Sequence, residues 1–147
     1  MAIYVSGWVC QDVLRESSGI YSAIRLADQI SIRLPRDATP ENTSIPPAVT
    51  HALISYRSEE PEEFTSTVQL MAPSGKRGLP RTETIKTGGG SQGHLSDATL
   101  VLDPWQDGLW WFDIFVNTEI KLRIPVRVIH TRLDSGLHPE KPSQTPA

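Results

Sequence analysis

The fold is decided by Leu109-Trp-Trp-Phe-Asp-Ile-Phe-Val116 and, after a short connection, by Ile120-Lys-Leu-Arg-Ile-Pro-Val-Arg-Val128. In each run the aromatic and branched aliphatic residues recur at every second position, which is typical of strands that bury one face. The connection is too short for a parallel crossover. The two runs are therefore predicted to form an antiparallel hairpin.

The alternation also predicts the register of this hairpin. Residues that oppose each other across two strands point to the same face, so Val116 should oppose Ile120 rather than Glu119. This pairing requires a three-residue loop, Asn117-Thr118-Glu119. The pairs expected on the buried face are Val116 with Ile120, Ile114 with Leu122, Phe112 with Ile124, and Trp110 with Val126.

The opposite face of the hairpin carries an unusual mixture of aromatic, acidic and basic side chains. Its expected pairs are Leu109 with Arg127, Trp111 with Pro125, Asp113 with Arg123, and Phe115 with Lys121. Outward aromatic residues can be covered by a loop, such as residues 35–47, or can bind a protein or a small ligand. The candidate binding site consists of Trp111, Asp113, Phe115, Arg123 and Arg127.

The remainder of the chain contains further short alternating runs separated by turn residues. We interpret residues 20–34 as one bent strand, because no turn pair interrupts their alternation. No apolar stripe with helical spacing is present. The predicted strands are residues 3–10, 20–34, 50–57, 64–70, 81–86, 95–102, 109–116 and 120–128.

Seven or eight short strands without helices predict an all-β protein, namely an antiparallel β-sandwich of immunoglobulin-like or similar type. A barrel is the less favoured alternative. The 147 residues suffice for one domain, which we place at residues 1–129. Residues 130–147 contain three prolines and few apolar side chains, and are predicted to form a disordered tail.

Composition and charge exclude several classes of protein. A net charge of −3 argues against a general nucleic-acid binder. The single cysteine, Cys10, excludes an intrachain disulfide and fits a reducing compartment. The first residues lack the basic flank and apolar run of a signal peptide, and no apolar run approaches the ~20 residues of a membrane helix. We therefore expect a cytoplasmic protein that binds neither nucleic acid nor membranes.

No motif in the sequence predicts catalysis, a metal or a cofactor. The four histidines show no metal-ligand spacing, and Cys10 lies in an apolar strand, where cysteine is normally a small core residue. Ser74-Gly75-Lys76-Arg77 lacks the remaining residues of a phosphate-binding loop and is interpreted as a hairpin tip. The protein is expected not to be an enzyme.

Three stretches resemble a family of small bacterial β-sandwich proteins that is catalogued only as a domain of unknown function. They are Cys10-Gln-Asp-Val13 leading to Ser17-Ser-Gly19, Ala27-Asp-Gln-Ile30 before a proline-rich loop, and Gly108-Leu-Trp-Trp-Phe-Asp-Ile114 through Ile124-Pro-Val-Arg-Val128. The resemblance spans residues 2–129. It implies the fold and a bacterial cytoplasmic setting, but no activity and no site residues. Members of the family often have Asp-Gly where this chain has Asn117-Thr118.

These observations favour a non-catalytic protein-interaction or structural module, whose partner is another protein or a second copy of the chain. The alternative is a small-ligand or carbohydrate-binding module in which Trp111 or Trp105 stacks on the ligand. The exposure of the outer hairpin face distinguishes these functions.

Overall fold

The computed structural model describes residues 2–18 and 21–133. Ile20, the first residue of a predicted strand, and residues 134–147 of the predicted tail lie outside these ranges. The described residues form nine strands. They are β1 (Ile3–Arg15), β2 (Tyr21–Leu26), β3 (Gln29–Leu34), β4 (Ala48–Ser58), β5 (Glu62–Met71), β6 (Arg81–Thr87), β7 (His94–Leu102), β8 (Gly108–Val116) and β9 (Glu119–Arg132).

The strands build two sheets that pack face to face, which confirms the all-β sandwich. The first sheet has the order β2-β1-β4-β7 and the second has the order β3-β9-β8-β5-β6. There are thus nine described strands rather than seven or eight. In the part of the chain that the structure describes, no helix is long and apolar enough to span a membrane.

The predicted single strand at residues 20–34 is wrong, because it is two strands in different sheets. β2 pairs with β1, whereas β3 pairs with β9, and Ala27-Asp28 carries the chain from one sheet to the other. Leu26 in β2 is 64% exposed, whereas Ile30 and Ile32 in β3 pack against the core. The alternation of apolar residues therefore continues across the crossing although its residues face solvent in one strand and the core in the other. The pattern therefore cannot distinguish a bend from a change of sheet.

The pairing of β3 with β9 corrects two further predictions. It is parallel, so the sandwich is not wholly antiparallel. It also extends β9 to Arg132, and the backbone N–H of Leu133 donates to the carbonyl of Leu34 at 2.9 Å. The domain boundary placed after Ile129 is therefore wrong, because residues 130–133 belong to the sandwich.

The buried face of the central hairpin is largely the predicted one. All four inward residues of β8 are buried, and Phe112 and Ile114 are completely inaccessible. They pack with apolar side chains from both sheets. The residues that other strands contribute to this hydrophobic core cluster include Ile54, Phe64, Val68, Ile85, Leu100, Leu102, Val126 and Val128.

The hairpin register is confirmed along most of its length and wrong at its tip. Six predicted pairs are present, from Leu109 with Arg127 to Ile114 with Leu122. Beyond them, Val116 opposes Glu119 and Phe115 opposes Ile120. The loop is therefore the two-residue turn Asn117-Thr118, and Ile120 lies outward and is 40% exposed.

A β-bulge reconciles the short turn with the alternation. The register shifts after Ile114, and Lys121 is the extra residue of β9. Asn117 adopts a left-handed φ of 56°, which asparagine tolerates well. Its backbone N–H donates to the carbonyl of Thr65 at 2.7 Å and its Oδ1 accepts from the Thr65 N–H at 3.2 Å. The turn is thereby attached to β5.

Side-chain hydrogen bonds join the two sheets, among them Ser58 with Thr87 and Ser96 with Glu83. The hydroxyl of Tyr56, on β4, hydrogen-bonds to the Ser66 hydroxyl on β5. Burial raises the pKa of Tyr56 to about 12; the Ser66 hydrogen bond opposes this shift and the charge of Glu83 adds to it. The phenol is therefore a neutral hydrogen-bonding group throughout the physiological pH range.

Phe112→Ala should lower the free energy of unfolding by ~3–5 kcal/mol, the range for truncation of a buried aromatic residue. The physical reason is that Phe112 is completely buried between the sheets. Chemical denaturation measures the change. Leu79→Ala is the control, because Leu79 is 90% exposed and should change stability by less than ~0.5 kcal/mol. Equal losses in the two variants would contradict the assignment of the core.

The stability contributed by protonated Tyr56 should be present below pH 10 and lost between pH 10 and about 12. In that window the unfolded chain releases the phenolic proton while the folded chain retains it, so stability falls by ~1.4 kcal/mol per pH unit. Urea denaturation in this pH range measures the slope. Tyr56→Phe should remove this component, and an unchanged pH dependence in the variant would contradict the assignment.

Candidate interaction surface on the five-stranded sheet

Asp113 is the centre of the outer hairpin face. It points away from the hydrophobic core, yet its side chain is completely inaccessible to solvent. β8 is the middle strand of the five-stranded sheet, so neighbouring strands flank Asp113 on both sides. A buried carboxylate requires charged or hydrogen-bonding partners, because isolated burial of a charge is very costly.

Two arginines supply these partners. The Nε of Arg123, directly opposite on β9, lies 2.7 Å from Oδ1 of Asp113, and Nη1 of Arg77 lies 2.9 Å from Oδ2. Each carboxylate oxygen thus accepts from a different guanidinium group. The arginine side chains are 39% and 38% exposed, so they shield the acid while remaining in contact with water.

Each arginine also stacks on one of the predicted aromatic residues. Cζ of Arg123 lies 4.6 Å from the ring centroid of Trp111, and Cζ of Arg77 lies 5.8 Å from that of Phe115. Both distances fall within the ~6 Å range of cation–π attraction. Asp113, Arg77, Arg123, Trp111 and Phe115 together are called the arginine–aromatic surface below.

The connection between β5 and β6 positions Arg77. Its tight turn places Gly75 at a left-handed φ of 88° and bonds the Gly75 N–H to the carbonyl of Ala72 at 2.8 Å. A bridge between Met71 and Arg77 then returns the chain alongside β5. Nε2 of Gln69 donates to the carbonyl of Gly78 at 2.8 Å and holds the returning segment against the sheet.

Four of the five predicted site residues meet on this surface, namely Trp111, Asp113, Phe115 and Arg123. Arg127 lies on the same face, but within the described ranges no contact joins its side chain to the others. The predicted partner of Phe115, Lys121, is wrong, because the bulge places Ile120 opposite Phe115. Lys121 instead contacts Glu119, with Nζ 3.5 Å from Oε1.

Arg77 is the member of the arginine–aromatic surface that the sequence interpretation missed. It was assigned only to a hairpin tip, and it is distant from Asp113 along the chain. One sequence signal was available, because Asp113 lies between Trp111 and Phe115 on the predicted outer face. A carboxylate shielded from water by two aromatic residues can bind a cation at each of its oxygens. The sequence did not indicate which of several basic residues would supply the second one.

The arginines, and not residues 35–47, cover the outer aromatic residues. The first part of that loop instead packs near the end of β9, where Nη1 of Arg132 donates to the carbonyl of Ala38 at 2.6 Å. Trp111 and Phe115 are consequently half-buried. The face is neither an open apolar patch nor a fully covered one.

The outer face of the other sheet carries a second polar cluster around His51. Its Nδ1 lies 3.0 Å from Oδ1 of Asp97 and 3.4 Å from Oγ1 of Thr99. The other ring nitrogen, Nε2, lies 4.0 Å from Oδ1 of Asp12, so the imidazole has an acidic neighbour on each side. Within the described residues, no group of three or more potential ligands could hold a metal ion.

Trp105, the other residue considered for stacking, lies in the turn before β8. Its ring meets that of His130 edge-to-face, with centroids 6.1 Å apart. Nε2 of His130 is in turn 2.6 Å from the carbonyl oxygen of Pro104. Trp105 therefore contributes to the attachment of this turn to β9.

No protein-family model and no curated protein matches this sequence. Thirteen chains of solved structures match the fold. One is a GH3 β-glucosidase from Bifidobacterium adolescentis, with a TM-score of 0.43, 11% identity and 93% coverage of this chain. This chain spans only 19% of the glucosidase. Another is a Northeast Structural Genomics Consortium target, with a TM-score of 0.39, 11% identity, and coverage of 99% of this chain and 96% of that chain.

Simultaneous Arg77→Ala and Arg123→Ala substitutions should destabilise the fold by ~3–5 kcal/mol, because they leave a buried carboxylate without a cation. Adding Asp113→Asn should recover part of this loss, because it removes the charge without changing side-chain shape appreciably. Denaturation of the three proteins at neutral pH measures the effect. Recovery identifies the buried charge, rather than lost arginine packing, as the main cost.

Lys121→Ala is a matched control for removal of a cation from the same hairpin. Its partner Glu119 is largely exposed, so the loss should be below ~1 kcal/mol. If adding Asp113→Asn to the double arginine variant lowered its stability further, that result would contradict the proposed role of the arginines.

Proposed function

We propose that this chain is a non-catalytic β-sandwich module that binds another protein through the arginine–aromatic surface. The observation that carries the proposal is the immobilisation of two partly exposed guanidinium groups by one fully buried carboxylate. Long side chains normally lose conformational entropy on binding. Arg77 and Arg123 are already held in place, so that cost is reduced before a partner arrives.

The composition of the surface supports a protein partner. Arginine, tryptophan and tyrosine are enriched among the residues that dominate binding energy at protein interfaces. Arg123 presents a guanidinium stacked on Trp111, and Arg77 presents a second one beside Phe115. Such a stacked guanidinium retains donors that can bind a carboxylate in planar geometry.

Charge favours an acidic partner. Asp113 contributes one negative charge and the two arginines contribute two positive charges, so the surface has a net charge of +1 within a chain of net charge −3. Arg127 and Lys121 lie outward on the same strand of this sheet. A locally positive face on an acidic protein favours one orientation of an acidic partner over others.

Carbohydrate binding through Trp111 is less well supported. A sugar stacks on an open aromatic face, whereas the Arg123 guanidinium already lies 4.6 Å from the Trp111 centroid. A sugar approaching that ring face must displace an arginine that is also bonded to Asp113. Trp105 makes its edge-to-face contact with His130 and is only partly accessible.

The non-catalytic assignment rests on the arrangement of the reactive side chains in the described ranges. Cys10 is buried, and the nearest polar partner of His51 is the carboxylate of Asp97, at 3.0 Å, rather than a hydroxyl or thiol group. A cytoplasmic location in a bacterium completes the proposal. It is supported by the single cysteine and by the resemblance of the hairpin and crossover sequences to bacterial proteins.

The test uses isotope-labelled protein and short extended peptides in which acidic and aromatic residues alternate. Amide shifts in NMR spectra should change around Arg77, Trp111 and Arg123, and the changes should diminish as salt is added. A peptide with lysine in place of each acid should cause no such changes. Shift changes confined to the other sheet, or equal binding of both peptides, would contradict the proposal.

Arg127→Ala should weaken binding of the acidic peptide without unfolding the protein, because Arg127 is exposed and does not hold Asp113. Arg57→Ala is the matched control, since Arg57 is an exposed arginine on the four-stranded sheet. The Arg57→Ala variant should bind the peptide with the same affinity as the unmodified chain.

A further inference from the structure

The first half of β1 has an unpaired edge. β4 pairs with one side of β1 from Ile3 to Cys10, whereas β2 pairs with the other side only from Cys10 to Arg15. Within the described residues, no strand pairs with that second side before Cys10. The crossing at Ala27 marks the end of the open stretch, because the Ala27 N–H donates to the carbonyl of Val9 at 2.8 Å.

This hydrogen bond identifies which backbone groups face the open side. In an extended strand the N–H and C=O of one residue point the same way, and those of the next residue point oppositely. The Val9 carbonyl points away from β4, so the backbone groups of Gly7 and Val5 do so too. Residues 4–8 therefore present the N–H and C=O groups of Val5 and Gly7 to an incoming strand.

The open edge lacks the features that normally prevent strand addition. Edge strands are commonly protected by charged residues, proline or a bulge. On the side away from β8, no described strand pairs with the first half of β9, but this stretch carries Pro125, Arg123 and the bulge at Lys121. The outermost strands carry charges as well: Arg25 in β2, Arg33 in β3, Lys86 in β6 and Asp97 in β7. Residues 4–8, Tyr-Val-Ser-Gly-Trp, contain none of these features.

Apolar side chains surround this edge. Tyr4 is 56% exposed and Trp8 is 45% exposed, both on the outer face of the four-stranded sheet. Beside the edge lies an open groove of about 420 Å³, lined by residues that include Trp8, Leu26, Ile124 and Pro125. Ile124 packs against the core cluster and is only partly buried.

We propose that this chain forms a symmetric homodimer in which residues 4–8 of β1 pair antiparallel with the same residues of a second copy. The edge is self-complementary when the two-fold axis passes through Ser6. Val5 then exchanges both backbone hydrogen bonds with the second copy's Gly7, and Gly7 does the same with the second copy's Val5. The four-stranded sheets of the two copies join into one continuous sheet.

This register also matches the side chains. Tyr4 lies opposite the second copy's Trp8 on the outer face, in a non-hydrogen-bonded pair, where side chains approach most closely. On the inner face, the second copy's Val5 lies opposite Gly7, which has no side chain. A Cβ placed on Gly7 would lie 3.4 Å from both Ile124 and Leu122, so the incoming Val5 lies beside these partly buried residues.

The proposal is independent of the arginine–aromatic surface, which lies on the other sheet. The paired stretch is short, because Ala27 already occupies the Val9 carbonyl. We therefore expect a dimer whose population rises with protein concentration, and sedimentation equilibrium measures it. A chain that remains monomeric at millimolar concentration would overturn the proposal.

Charge substitutions test the register. Tyr4→Lys combined with Trp8→Lys should abolish the dimer, because like charges then oppose each other across the axis. Tyr4→Glu combined with Trp8→Lys should restore it, because each acid at position 4 opposes a lysine at position 8. Circular dichroism establishes that both variants are folded. Two results would contradict this register. One is a dimer that persists in the double-lysine variant, and the other is a dimer that is lost in that variant and is not recovered in the Glu–Lys variant.

Cysteine cross-linking provides a second test that leaves the edge unchanged. Ser6→Cys should form an intermolecular disulfide under mild oxidation, because the two Ser6 side chains face each other across the axis. Ser55→Cys is the matched control, since Ser55 pairs with Ser6 one strand further from the edge. Cross-linking of the control alone, or of neither protein, would overturn the proposal. If an unrelated extended peptide pairs with this edge while the chain stays monomeric, the partner is not a second copy.

Discussion

A carboxylate in the middle of a sheet determines much of the arrangement around it. No residue of β8 is highly exposed, and Asp113 is completely inaccessible near its midpoint. A buried charge of this kind is tolerated only where cations and hydrogen bonds compensate it. Arg123 fixes the pairing of β9 beside β8, and Arg77 attaches the β5–β6 connection to the outer face. One side chain thus links three neighbouring parts of the five-stranded sheet.

The alternation of apolar residues predicted the hairpin core and the Asp113–Arg123 pair, because side-chain direction in a strand has a strict period of two. The same rule failed at the hairpin tip. Alternation alone does not separate a three-residue loop from a two-residue turn followed by a bulge at Lys121. It failed again at Ala27-Asp28, where the chain changes sheets while the alternation continues from exposed Leu26 to Ile30, which packs against the core.

Arg77 could not be identified from local sequence, because its role depends on the pairing of β5 with β8. That pairing joins segments distant in the chain, and hydrophobic alternation carries no information about which strands become neighbours. Phe115, on which Arg77 stacks, could be assigned to the outer face from the sequence of β8 alone. The sequence thus predicted one half of the arginine–aromatic surface, and the topology supplied the other.

The parallel pairing of β3 with β9 has a consequence for the order in which the chain can fold as it is synthesised. Every strand of the four-stranded sheet precedes β8, so that sheet can assemble before the final hairpin exists. β3 emerges early, yet among the described strands its only partner is β9, the last of them to be made. Ile30 and Ile32 must therefore wait for nearly the whole domain before their backbone is paired. Non-local pairing of this type slows folding and prolongs exposure of an apolar edge.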